Sequence, residues 1–367
     1  MRAGLPLLLL TTLLLTASCE QLQRSAGKPG GIFGPSEKVL RAYHDSRWQA
    51  VVDAVASGDD GVVLPAEPEV PKALEKLALE DAYEALAANR TSEEERWKSL
   101  IEQSDLSMRF IAEMLDVLER NDPQSISELA PQMEAFLAGQ EQALSDWREL
   151  RSLLRSRLDE LQASWDSAWA HNEFDLDLLA QVERIQADKL GRLSPERTAA
   201  LTHYHDNEFA RLSRDYLDWQ PPADGEEISP VAHVPEDCEG VKQALRGLEA
   251  ALVLRHALDT AIVRDTAVLE EFLPGGLGTG PLGELQIPDN RYGSHRARLA
   301  VARLELYRML DGLLTDVLDV MIYDVNREWT LVWPGNGLEN NIFAYAGVAQ
   351  LPPRLEDPYE TPAPASP

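Results

Sequence analysis

From Met133 to Ala168, large side chains recur at spacings that alternate between three and four: Met133, Leu137, Gln140, Leu144, Trp147, Arg151, Leu154, Leu158, Leu161, Trp165 and Ala168. That alternation holds one stripe on one side of an α-helix, whereas a strand repeats every two residues. About forty residues at 1.5 Å each make a helix roughly 60 Å long. Such a helix needs a neighbour along most of its length, because packing of an apolar face supplies most helical stability. The preceding run supplies one: Trp97, Ile101, Ser104, Met108, Ile111, Leu115 and Leu118 alternate in the same way and stop at Asn121-Asp122-Pro123. A short turn makes consecutive helices antiparallel neighbours. The chain is therefore expected to be all-α, an elongated bundle of long antiparallel helices with coiled-coil-like packing.

The remaining segments fit that class. A first helix is expected over 35–56, with Leu40, Tyr43, Val51, Val52 and Val55 apolar, and a second over about 69–88. Thr91 or Ser92, followed three residues on by Glu94 or Glu95, matches a capping box and is expected to open the first alternating run. A short helix with Leu179, Val182 and Ile185 follows the second run, then one opened by Ser194-Pro195-Glu196 and carrying Tyr204, Phe209, Leu212 and Tyr216. Val241 to Phe272 and Leu299 to Met321 mark two more long helices. Trp329 to Trp333 alternates apolar residues and is expected to be extended, closed by the Pro334-Gly335-Asn336-Gly337 turn. The proline- and acid-rich stretch 221–240 is the expected linker between an N-terminal helical part, 35–220, and a C-terminal one, 241–350. The proline-rich tail 351–367 is expected to be disordered.

Charge narrows the partners. A formal net charge of -28 repels nucleic acid and anionic lipid headgroups, so no nucleic-acid partner is expected.

The chain opens with Met1-Arg2, an apolar run from Leu5 to Leu15, and small residues in Thr16-Ala17-Ser18-Cys19. That apolar core is too short to span a bilayer as a helix. It resembles the lipobox signal peptide of bacterial lipoproteins, with Thr16 where the pattern prefers Leu. The resemblance implies that residues 1–18 are removed and that Cys19 is the lipidated residue, with 19–34 a flexible tether. It also implies a membrane partner through the lipid anchor and a location in the cell envelope. Glu20 after the cysteine, where Asp would be the retention signal, implies the outer membrane in a diderm organism. With Cys19 lipidated, Cys238 is the one remaining thiol, so no intrachain disulfide is expected. The all-helical layout and a final helix expected to end in Tyr323-Asp324-Val325-Asn326 resemble YiiG-like envelope lipoproteins, which implies a helical fold and no assigned activity.

Four patterns bear on chemistry. His203, His205 and Glu208 offer metal-ligand types, but His203 and His205 lie roughly 200° apart on an unbroken helix. Gly293-Ser294-His295-Arg296-Ala297-Arg298 approaches the Gly-x-His-x-x-Glu signature of imelysin-type lipoproteins, with arginine at the glutamate position. The glycine-rich loop Gly275 to Gly280 follows a helix and lacks lysine, unlike a phosphate-binding loop. Arg291, His295, Arg296, Arg298, Arg303 and Arg308 form a basic cluster in an acidic chain, near the start of a helix whose dipole they oppose. Either neighbouring acidic helices neutralise it, or it takes a carboxylate or phosphate ligand such as an envelope glycan or a lipid headgroup.

These residues are expected to make a helical binding or scaffold module with an envelope protein as possible partner, without catalysis or cofactor. The alternatives are an arginine-based ligand-capturing lipoprotein and a metal-dependent hydrolase around His203, His205 and Glu208.

Overall fold

A computed structural model describes residues 36–57, 79–120, 126, 128–170, 172–174, 176, 178, 181, 193–218, 238–272 and 293–347. The expected signal peptide, tether, linker (all but 238–240) and tail lie outside them, as do the glycine-rich loop, 69–78 of the expected second helix and all but Gln181 of the expected helix over 179–185. Among the described residues the chain is all-α, with seven helices and no strand. They are α1 (Glu37–Ser57), α2 (Leu79–Arg120), α3 (Ala130–Ala168), α4 (Pro195–Asp218), α5 (Glu239–Phe272), α6 (Gly293–Val332) and the single turn α7 (Ile342–Tyr345). None is long and apolar enough to cross a membrane.

Two compact units are formed, each from two stretches of chain: Met1–Glu94 with Glu149–Ile185, and Glu95–Arg148 with Gln186–Pro367. The division thus falls inside α2 and α3, and α4 belongs with α5 and α6 rather than with α1.

In the first unit α2 and α3 are antiparallel. The Trp165 indole Nε1 donates to the Tyr83 hydroxyl at 2.9 Å, and further along, Arg151 approaches Glu93. Of the expected apolar positions of α1, Leu40, Tyr43, Val51 and Val52 are buried and Val55 is half-buried, and Trp48 is buried with them. Each such side chain removed from water contributes roughly 1.5–3 kcal/mol.

In the second unit the same antiparallel sense is set by Trp97 against Trp147, ring centroids 4.9 Å apart, and by Phe110 stacked on Phe136 at 4.2 Å. Helices α5 and α6 form a second antiparallel pair. Asp265 meets Arg303, Arg255 meets Asp311 at 2.6 Å, and Gly240 lies so close to the Glu328 carboxylate that a Cβ there would strike it. Partner numbers fall along α6 as they rise along α5. The main apolar core lies here, from Met108 and Ile111 through Leu245, Leu248, Leu252, Leu310, Leu314, Val317 and Trp329.

Three local expectations are corrected. Helix α2 runs unbroken through the expected capping box, and the Thr91 hydroxyl donates to the Ala87 carbonyl at 3.2 Å. No glycine or proline interrupts 79–120, and Arg90 pairs with Glu93 and Glu94 across one turn, so the helix has no reason to restart. Trp329 is not extended but lies in the last turn of α6, where Met321, Val325 and Trp329 bury one helical face. For the same reason α6 continues beyond Asn326 to Val332. The turn after it forms as expected, with Gly335 and Gly337 both at φ +65°, a conformation glycine adopts at no steric cost.

Capping at α4 follows the sequence. Ser194 Oγ accepts from the Arg197 amide at 3.2 Å, and hydrogen bonds to its own amide and to Ser194 hold the Glu196 carboxyl below its usual range.

Candidate functional site

The α4 constellation separates once the helix is built. His203 is exposed, and the Asn207 amide reaches back to its carbonyl at 2.8 Å. His205 points the other way, 1% exposed, with Nε2 2.8 Å from Asn340 Oδ1 and its ring against Phe209 and Trp329. Asn340 immediately precedes Asn341, which caps α7 by accepting from the Phe343 and Ala344 amides. His205 therefore joins α4 to the chain that carries α7. Glu208 is buried too, and accepts from Arg211 Nε at 3.2 Å and Nη2 at 2.5 Å, while Arg211 Nη1 donates to Glu249 of α5 at 2.9 Å. Burial works against the Arg211 charge, yet the two carboxylates hold its pKa above the ordinary arginine value. His203, His205 and Glu208 thus do not converge. Among the described residues, no group of three or more His, Cys, Asp or Glu side chains could hold a metal ion.

The basic cluster divides as well. Cys19 and Arg291 lie outside the described residues. His295, Arg296 and Arg298 are exposed on the first turns of α6, where Arg296 faces Glu271 of α5 at 3.6 Å with both side chains more than half exposed. Arg308 is exposed further along. Arg303 is different: its Nε and Nη2 donate to the two carboxylate oxygens of Asp265 at 2.7 and 2.8 Å, and Asp265 is fully buried. Neighbouring acid thus neutralises this arginine, as one of the two readings of the cluster anticipates.

The first unit buries a histidine that the motifs did not single out. His44 of α1, 3% exposed, lies parallel to Phe174, ring centroids 3.7 Å apart, and parallel to Trp48 at 6.1 Å, with the Trp165 ring edge-on at 5.3 Å. Its Nδ1 is 2.9 Å from the Tyr83 hydroxyl. An indole N–H can only donate, so Tyr83 accepts from Trp165, and its own proton goes to His44 Nδ1 in the tautomer that carries hydrogen on Nε2. Burial, with the nearby positive charge of Arg41 adding to it, lowers the His44 pKa to about 4 and keeps the ring neutral.

Phe174 is brought there by a strained turn. Glu173 takes φ +48°, the left-handed region, which costs a side-chain-bearing residue roughly 1–2 kcal/mol. Asn172 offsets this with bonds from its amide to Asp166 Oδ1 at 2.7 Å and to the Trp169 carbonyl at 3.1 Å, while its Oδ1 accepts from the Phe174 amide. Arg41 lies over the Trp169 and Phe174 rings at 5.6 and 5.8 Å. The sequence signal for His44 was its place in the buried stripe of α1, four residues after Leu40 and four before Trp48.

Compared with protein-family models, with curated proteins and with solved structures, the chain matches none.

Proposed function

We propose that this chain is a lipid-anchored cell-envelope protein, tethered through Cys19, whose helices act as a binding or scaffold module without catalysis, packed along coiled-coil-like seams. The observation that carries the reading is the use to which its best chemical groups are put. Arg211 and Glu249, Arg303 and Asp265, and His205 and Asn340 each tie one segment to another. Groups held in such pairs are positioned to brace helices rather than to turn over a substrate. The N-terminal leader and its lipobox-like end support the location, and the acidic surface favours a partner with a cationic face.

The test is a pull-down from native envelopes with Cys19 intact, beside Arg296→Gln/Arg298→Gln protein and Cys19→Ser protein. A protein partner recovered with the first two, and weakly with the unanchored form, supports the scaffold reading. Recovery of a glycan or lipid with the wild type alone, lost with the two arginines, replaces it by ligand capture through His295, Arg296 and Arg298.

A further inference from the structure

We propose that His44 is an acid-operated latch: its neutral ring fastens α1 to the first unit, and protonation at Nδ1 releases the helix. The geometry makes the ring the meeting point of every described segment around it. Tyr83 comes from α2, Trp165 from α3, Phe174 from the turn after α3 and Trp48 from α1 itself. Of these, only Tyr83 titrates, and it is neutral at and below neutral pH. The charge acting on the ring is that of Arg41, one turn earlier on α1, and it has the same sign as an imidazolium.

Proton bookkeeping at Tyr83 gives the switch its action. With His44 neutral and its hydrogen on Nε2, the hydroxyl accepts from Trp165 and donates to Nδ1. A proton on Nδ1 turns that acceptor into a donor, and two hydroxyl-facing donors then displace the hydroxyl's own proton from its partner. The new charge is also cut off from water and lies near Arg41, whose charge has the same sign. Release relieves all three, and uncovers the α1 face formed by Leu40, Tyr43, Val51 and Val52.

The ring's ordinary pKa of 6.5 falls to about 4 when buried. The latch is therefore fully closed above pH 6.5 and loosens progressively as the pH falls towards 4, because the released form binds the proton more tightly. The closed population is weakened by about 100-fold between pH 6.5 and pH 4, and by up to about 300-fold once the pH lies well below 4.

Hydrogen exchange on the full chain, corrected for intrinsic rates and followed from pH 7 to pH 4, tests this. Protection of α1 amides should fall by roughly 100-fold more than that of α5 amides, which report the second unit. His44→Phe, which keeps a stacked ring but cannot titrate, should abolish the extra loss. Should that variant lack native near-UV dichroism at pH 7, His44→Asn, which keeps an acceptor for Tyr83, is measured in its place with the same expectation. Equal loss of protection in α1 and α5 in the wild type overturns the latch. So does an extra α1 loss that persists in whichever variant folds.

Discussion

Arg303 holds Asp265 with two guanidinium nitrogens, one on each carboxylate oxygen, in a place where the aspartate has no solvent exposure at all. This bidentate contact joins the middle of α5 to α6, and Arg264 extends it outward to Glu119 of α2 and to the Tyr307 hydroxyl. Removing one partner leaves the other charge buried and uncompensated. Asp265→Ala should destabilise the second unit by about 3–5 kcal/mol, measured by chemical denaturation. The double substitution Asp265→Leu/Arg303→Met removes both charges and should recover most of that loss. A double variant no better than the single would mean that the pair is a net source of stability in its own right.

A polar layer interrupts the seam between α2 and α3. Gln140, fully buried, donates to Ser104 Oγ and accepts from Ser107 Oγ, both at 3.2 Å. Gln140→Ala should cost about 1–3 kcal/mol, because it leaves a cavity and takes the amide donor from Ser104 Oγ, while Ser107 keeps its bond to the Gln103 carbonyl. Replacing all three residues by apolar ones, Ser104→Ala/Ser107→Ala/Gln140→Leu, should give a protein at least as stable as the wild type. Thermal unfolding of both variants checks this.

Asp324 of α6 gives a pH dependence of opposite sense to that of His44. Burial raises its carboxyl pKa above the ordinary value, although Arg327 and the Trp97 indole, 3.2 Å from Oδ1, pull the other way. A carboxyl whose folded pKa is raised favours folding in its protonated form. Its effect is therefore most favourable below the unfolded value of 3.8 and is lost as pH rises through the folded one. Asp324→Asn keeps an acceptor for Trp97 and should stabilise the second unit at pH 7 but not at pH 3, as read by urea denaturation at the two pH values.

At Glu173 the left-handed backbone penalises any side chain with a Cβ. Glu173→Gly should leave the first unit as stable as the wild type or more so, by up to about 1 kcal/mol. Glu173→Val should lower stability, since a branched Cβ tolerates positive φ least. The ordering Gly above Glu above Val in melting temperature is the expected result.

Much of the fold was legible in the residues alone. The three-four alternation in α2 and α3 marked the buried stripe, including its polar members Ser104, Gln140 and Arg151, because helical periodicity fixes which side chains share a face. Helix ends were less legible: nothing local stops α2 at the capping box or α6 at Asn326, and burial of Trp329 carries the helix on.

The sequence by itself determined the all-α class, the faces that pack and the angular impossibility of joining His203 to His205 on one helix. Only the tertiary structure decided which acid meets which base. Asp265 and Arg303 are 38 residues apart, and His205 and Asn340 are 135 apart. A chain rich in carboxylates offers every arginine many equivalent partners, and the choice among them falls to the register of packed helices, which no local pattern encodes. The same holds for His44: it stands four residues from both Leu40 and Trp48, but Tyr83, Trp165 and Phe174, which enclose it, come from three other segments.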